Sequence, residues 1–304
     1  MSQINGYVQS AVTRDADLQR ILAVPDKKGI VLPDKESTTR RFLRANAEGT
    51  QGKLMLRELQ ARALNEAKLS TSNGLLAGIG VGGGKTLVTM LYGKAVSAER
   101  TLLIVPASMI GKDGKGKTYL DAEEAREKGW DIPQIDFPKN AKQRATYQWK
   151  PNTILCLSYE VVSHPSNGGI IERLRPDAVV CDEAHVLSNP KAVCTGEIWK
   201  YVAAHEDEVH VMHASGSFIK SGILDIAHLS ALALRESTPY PVKKGTQLAW
   251  ASALDYFEGP RTPLGALKVF GPTLHEARKG LSQKVRSVMG SVFSENESIG
   301  VSLN

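Results

Sequence analysis

The 304-residue sequence predicts an α/β fold in three layers, a mainly parallel central sheet between two layers of helices. Three observations carry that expectation. Between residues 53 and about 235, apolar runs of strand length alternate with runs of helical periodicity. The strand-like runs are apolar along their whole length, as strands covered on both faces must be. Two of them end in short polar motifs, "GIGVGGGKT" at 78–86 and "CDEAH" at 181–185, which a parallel sheet would present at one edge.

The elements follow in order. Residues 1–50 are polar, mixed in charge and interrupted by Pro and Gly in "VPDKKGIVLPDKEST", and are expected to form an extension outside the core. An amphipathic helix is predicted over 53–69, with Leu54, Leu56, Leu59, Ala63 and Leu64 at helical spacing. The strand "GLLAGI" precedes the helix "TLVTMLYGKAVSAE", and the strand "TLLIV" precedes helical "YLDAEEAREKG". "TILCLSY" and "GIIERLR" lead to the strand "AVVCDE", the helix "CTGEIWKYVAAHE" and the strand "EVHVMHA". After 235 the alternation breaks at "STPYPVKKGTQ", and 236–304 reads as a mainly helical segment with Gly-Pro turns at 259–260 and 271–272. The expected divisions are therefore 1–50, 51–235 and 236–304.

Composition narrows the function. Hydrophobic residues make up 42% and charged residues 23%, the balance of a globular protein. The apolar runs fall well short of the roughly 18 residues a membrane span needs. The first residues lack a basic stretch followed by an apolar one, so no leader peptide is expected and a cytoplasmic setting is. Cys156, Cys181 and Cys194 show no C-x-x-C spacing, which argues against a zinc site or a disulfide framework. The net charge of +6 suits a polyanionic partner. Part of it is concentrated in Lys112, Lys115 and Lys117.

Two stretches end in Gly-Lys-Thr. "GKDGKGKT" at 111–118 matches the phosphate-loop pattern G-x-x-x-x-G-K-[ST] to the letter, whereas "GIGVGGGKT" has Ile79 where the first Gly should be. The physics favours the second. A phosphate loop must leave a strand and enter a helix, so that backbone N–H groups and the helix N-terminus face the phosphates. Residues 78–86 meet that requirement: Gly82, Gly83 and Gly84 free the backbone to curl, and Lys85 and Thr86 open a helix. Five residues, Pro106 to Ile110, separate the strand before 111–118 from its first glycine. Lys85 is accordingly expected at the phosphates and Thr86 at a magnesium ion.

An acidic partner is needed from another strand. "PDAVVCDEAH" delivers Asp182 and Glu183 to a strand's C-terminal end. Charge logic makes Asp182 the magnesium-linked carboxylate and Glu183 the group that polarises water for attack on the γ-phosphate.

With "LRELQARAL" (56–64), "LLIVPASMI" (102–110), "ILCLSYEVV" (154–162) and "HVMHASGSFI" (210–219), these motifs resemble, in order, those of superfamily 2 DEAH/DExx-box helicases and translocases. "SYE" and the run "DEAHVLSNPKA" are similar to the chromatin-remodeller-like branch. "TPYPVKKGTQLAWASALD" and "SVFSENESIGVSLN" resemble its phage and prophage members. The resemblance implies a RecA-like P-loop NTPase domain that binds ATP and Mg²⁺. It places the nucleotide at Gly80, Val81, Gly82, Gly83, Gly84, Lys85 and Thr86, with Gln60 reading the adenine edge. Lys85, Asp182 and Glu183 would be catalytic, with metal contacts from Thr86 and Asp182. His185, Ser215, Gly216 and Ser217 would couple the nucleotide to movement. Pro106, Lys112, Lys115 and Lys117 would meet nucleic acid.

These motors pair two RecA-like domains, the second bringing arginines in a Q-x-x-G-R-x-x-R-type motif, and no such string occurs here. The chain thus resembles the front half of a motor on DNA, duplex or single-stranded, completed by a second RecA-like domain in the same or another polypeptide. A bacterial or phage-infected cell is the implied setting, without a membrane partner. The alternatives are a nucleotide-gated binding module without turnover of its own, or a helicase acting on RNA.

Overall fold

The computed structural model describes residues 16–45, 54–112, 114–219, 222–255 and 262–295. Its centre is a seven-stranded sheet: β1 (Gly74–Gly78), β2 (Thr101–Val105), β3 (Gln134–Asp136), β4 (Thr153–Ser158), β5 (Ala178–Asp182), β6 (His210–Ser215) and β7 (Ser291–Phe293). The order across the sheet is β3-β4-β2-β5-β6-β1-β7, and every pairing is parallel. All C-terminal strand ends therefore lie along one edge. The longer helices are α1 (Ala16–Ala23), α2 (Glu58–Leu69), α3 (Lys85–Ala95), α4 (Lys117–Lys128), α5 (Val193–Ala204), α6 (Ile223–Leu234), α7 (Lys244–Leu254) and α8 (Leu274–Ser287).

Successive strand residues point to opposite faces, and here both faces are apolar. In β2, Leu102 and Ile104 enter one core while Leu103 and Val105 enter the other; in β5, Val179 and Cys181 oppose Ala178 and Val180. That is why these runs are continuous rather than alternating. Helices α2 and α3 cover one face through Ala61, Leu64, Val88 and Leu91. Helices α1, α5, α6, α7 and α8 cover the other through Ile21, Ile198, Ile226, Trp250 and Leu281. The three-layer α/β fold with a parallel sheet is the arrangement expected of a RecA-like P-loop domain.

Two expected boundaries do not divide this fold. Within the stretch read as an N-terminal extension, Leu18, Ile21 and Val24 are buried in one core and Phe42 in the other. Polar anchors fix it there. The Arg20 guanidinium donates to the carbonyls of Thr238 and Tyr240, both at 2.7 Å, and the Asp17 carboxylate accepts from the amides of Val242 and Lys243. One side of α1 is apolar, but eight residues among Pro, Gly and charge gave too short a pattern to see. The boundary at 235 fails for a similar reason. The described residues beyond 235 carry α7 and α8, and Ala277, Leu281 and Val285 of α8 enter the core. Strand β7 then pairs with β1 in the register Leu76↔Ser291. Its three residues are too few to show a period. The Glu66 carboxylate joins the pieces, accepting from Lys27, Arg62 and the amide of Gly290 at 2.8 to 2.9 Å. The 259–260 turn and the end of "SVFSENESIGVSLN" lie outside the described residues.

Strand β3 has only three residues, too few to show a period, and "GIIERLR" forms a short helix, Ile170–Leu174. Cys156, Cys181 and Cys194 are buried free thiols. Among the described residues, no helix is long and apolar enough to cross a membrane.

Candidate nucleotide site

Strand β1 ends at Gly78, and the chain turns through Ile79 to Gly84 into α3, whose first residue is Lys85. The turn is shaped by three different constraints. Ile79 is fully buried and donates its amide to Ser215 O at 3.1 Å, which continues the β1–β6 ladder by one residue. Its side chain lies under the loop, so a Cβ on Gly83 would fall 2.6 Å from Ile79 Cγ2. Gly82 and Gly84 adopt left-handed φ of 75° and 77°. Ile79 departs from the written consensus but serves as the floor of the turn.

Across the sheet, β5 ends in Asp182 and continues to Glu183. Lys85 Nζ lies 2.9 Å from Asp182 Oδ1 and also pairs with Glu183 Oε1. Glu183 holds φ of 52°, a left-handed conformation costly for a residue with a Cβ. Its amide donates to Asp182 Oδ1 at 3.0 Å, fixing the two carboxylates relative to each other. Tyr159, just past β4, donates its hydroxyl to the Asp182 carbonyl at 2.8 Å from a buried position. This gives the tyrosine of "SYE" a structural role.

The segment after β6 closes on the same group. His185 Nδ1 lies 3.1 Å from Glu183 Oε2 and 3.2 Å from Ser215 Oγ. Ser217 donates its amide to Ser215 Oγ at 3.1 Å. Gly216 sits against the backbone of the 79–84 turn, where a Cβ would be 3.6 Å from Ile79 O and 3.7 Å from Val81 N. Glu183, His185, Ser215 and the glycine loop are thus in one continuous contact.

Gln60 is brought to the loop. It is 5% exposed; its Nε2 donates to Gly84 O at 2.9 Å and its Oε1 accepts from the amide of Arg57 at 2.8 Å. Arg57, which sequence reasoning did not single out, donates its guanidinium to Gly82 O. The capping pattern at the start of α2 could have pointed to it.

The literal consensus at 111–118 is built differently. Pro106 caps a helical turn, Ala107–Ile110, before the loop begins, and the loop folds back through Gly116 N to Ile110 O at 2.6 Å. Thr118 is 2% exposed, whereas Thr86 is only partly buried. Lys112, Lys115 and Lys117 stand exposed on this loop, at the edge that also carries the β1 and β5 ends. Asp121 of α4 feels the charges of both Lys117 and Asp182. Burial pushes its carboxyl up, with the charges of Glu124 and Asp182 adding to the effect and Lys117 opposing it.

The donor set suits a hard cation: the Thr86 hydroxyl and Asp182 carboxylate are oxygen ligands of the kind magnesium takes. Among the described residues, no three His, Cys, Asp or Glu side chains gather as a metal-holding group. Phosphate oxygens would have to complete the shell.

No protein-family profile matches the sequence. No curated protein matches it. Among solved structures, the chain is similar to the Sulfolobus solfataricus SWI2/SNF2 ATPase core in complex with double-stranded DNA, with a TM-score of 0.44 and 15% identity. The similarity covers 81% of this chain and 45% of that one, so the chain spans less than half of the protein it matches.

Proposed function

We propose that the chain binds Mg-ATP between the 80–86 loop and Asp182-Glu183, as the first RecA-like domain of an ATP-dependent DNA helicase or translocase of the remodeller-like superfamily 2 type. The observation that carries this reading is the meeting of Lys85 with Asp182 and Glu183 at one sheet edge. Two carboxylates, at the end of β5 and just past it, and an ammonium from the start of α3 converge beside a helix N-terminus, whose backbone N–H groups suit phosphate. Lys85 would leave the carboxylates for the β/γ-phosphates. The Thr86 hydroxyl and Asp182 would hold magnesium, whose chemistry there is to neutralise charge on the phosphate oxygens. Glu183 would accept the proton of the attacking water. The contact of His185 with Ser215, and of Gly216 with the loop, supports a coupling role for 215–217. Pro106, Lys112, Lys115 and Lys117 are proposed to meet the DNA backbone, with a second RecA-like domain closing over the nucleotide.

Nucleotide titration of two lysine variants tests the site. Lys85→Ala should lose on the order of tenfold to a hundredfold in Mg-ATP affinity, the worth of one charge-assisted phosphate contact. Lys117→Ala should leave that affinity nearly intact. Equal losses would sink the choice of loop.

A further inference from the structure

We infer that Tyr159 is a positioning residue for the proposed reaction, its hydroxyl holding the peptide between Asp182 and Glu183 in the rotation that turns the Glu183 carboxylate toward Lys85 and His185. The inference rests on the nucleotide-site reading above. A peptide unit is planar, so anchoring both of its ends fixes how the plane is turned. Here both ends are anchored. The Asp182 carbonyl accepts the Tyr159 O–H at 2.8 Å, and the Glu183 N–H donates to Asp182 Oδ1 at 3.0 Å. Turning the plane changes the φ of Glu183, which stands at 52°. That left-handed value is unfavourable for a residue with a Cβ and persists only where its surroundings impose it.

The tyrosine is itself firmly seated. It follows β4 and reaches past β2 to the end of β5, two strands away in the sheet. It opens a short helix, Tyr159–Ser163, whose start is capped by Ser158 Oγ accepting the Val161 amide at 3.2 Å. Asn167 Nδ2 donates to the Val161 carbonyl at 2.9 Å and ties the same helix from the other side. Tyr159 is buried, and that burial, with Cys181, Asp182, Cys194 and Glu183 adding to it, pushes the phenol well above its ordinary range, so the hydroxyl stays a donor. Affinity for the phosphates belongs to Lys85 and the glycine turn, which this hydroxyl does not touch. Its loss should be felt in the chemical step and not in binding.

Tyr159→Phe keeps the ring and removes only the hydroxyl. Tyr201→Phe is the matched control, because Tyr201 is also buried and donates its hydroxyl to a backbone carbonyl, Pro176 O at 2.6 Å, just before β5 begins. In single-turnover phosphate release by the full chain, followed to completion, Tyr159→Phe should be slower by about tenfold to a hundredfold, the cost of misplacing a reacting group by roughly 1 Å. Its Mg-ATP dissociation constant should stay within about twofold of wild type, and Tyr201→Phe should match wild type in both. A second readout needs no nucleotide. His185 Nδ1 lies 3.1 Å from Glu183 Oε2, so the His185 ring resonances in NMR spectra, assigned with His185→Gln, should move in Tyr159→Phe and stay in Tyr201→Phe. Melting curves establish that each variant is folded; Ser158→Ala, which uncaps the helix carrying Tyr159, is a second variant expected to act in the same sense. Unmoved His185 resonances, turnover within about twofold of wild type, or equal effects of the two tyrosine variants overturn the inference. Should wild type bind no Mg-ATP or release no phosphate, the nucleotide-site reading fails, and the His185 resonances alone decide whether Tyr159 aims Glu183.

Discussion

Glu183 is the residue on which the proposed chemistry turns, and its backbone is the strained one. A left-handed conformation at a non-glycine position costs on the order of 1–3 kcal/mol and persists where surrounding contacts impose it. The Asp182 carboxylate takes the Glu183 amide, while Lys85 and His185 hold its side chain. Lys85 pairs with both carboxylates, so in the proposed function ATP would have to draw it away from two negative charges. Glu183→Gln removes one of them and keeps the shape. That variant should bind ATP as tightly as wild type or more so, while its turnover falls by about a hundredfold or more, since an amide cannot act as a base. Parallel binding and phosphate-release assays check this; unchanged turnover would remove Glu183 from the water-activating role.

At the scale of single elements, α4 and α6 each make a measurable claim. Helix α4 begins at Lys117, and its loop carries Lys112 and Lys115 on the sheet edge shared with the glycine turn after β1. Replacing all three with Ala should weaken DNA binding for any sequence and flatten its dependence on salt by up to about 2.7 log units per log of salt for a duplex. An unchanged slope would make the loop an ordinary solvated face. Helix α6 is capped from a distance: Asp255 accepts the Ile223 amide at 3.1 Å, and burial pushes its carboxyl up to about 7, opposed by that hydrogen bond and by the nearby Arg278. A carboxyl raised above its unfolded value binds more protons folded than unfolded. Its contribution is thus fully present below about pH 4 and lost as pH rises through about 7. Buried His213, whose imidazole is driven down to about 4, acts with the opposite slope, stability rising with pH from there to its unfolded value near 6.5. Comparing wild type with Asp255→Asn cancels that term. The variant should gain stability relative to wild type between pH 4 and 8, by roughly 4 kcal/mol as an upper bound. Denaturant curves across that range give the difference directly, and a constant gap would show that Asp255 does not titrate in folding.

For the molecule as a whole, what the sequence made legible was whatever lies close along the chain. Five strands, each five or six residues long and apolar on both faces, could be read, as could a strand–glycine–lysine–helix junction. Contacts that join distant residues could not. Tyr159 reaches Asp182 and Arg20 reaches Tyr240, and no local pattern announces either. The same long-range ties bear on catalysis. In the transition state, negative charge spreads over the γ-phosphoryl oxygens, and Lys85 with a metal at Asp182 would cover one side. The other side calls for an arginine. Arg278 donates to Leu254 O at 2.7 Å and Arg286 to Phe293 O and Ser294 O, so both are built into the C-terminal packing. Arg57 is held on a loop carbonyl. A polypeptide of residues 1–304 should therefore bind ATP yet hydrolyse it slowly, with little stimulation by DNA. An arginine supplied from a second RecA-like domain would be worth roughly 10³–10⁵ in rate. Steady-state phosphate release is measured for the chain alone, with duplex DNA, and with such a domain added. Turnover of about one per second or more by the chain alone would mean that these residues complete the site themselves, and the need for a second domain would be refuted.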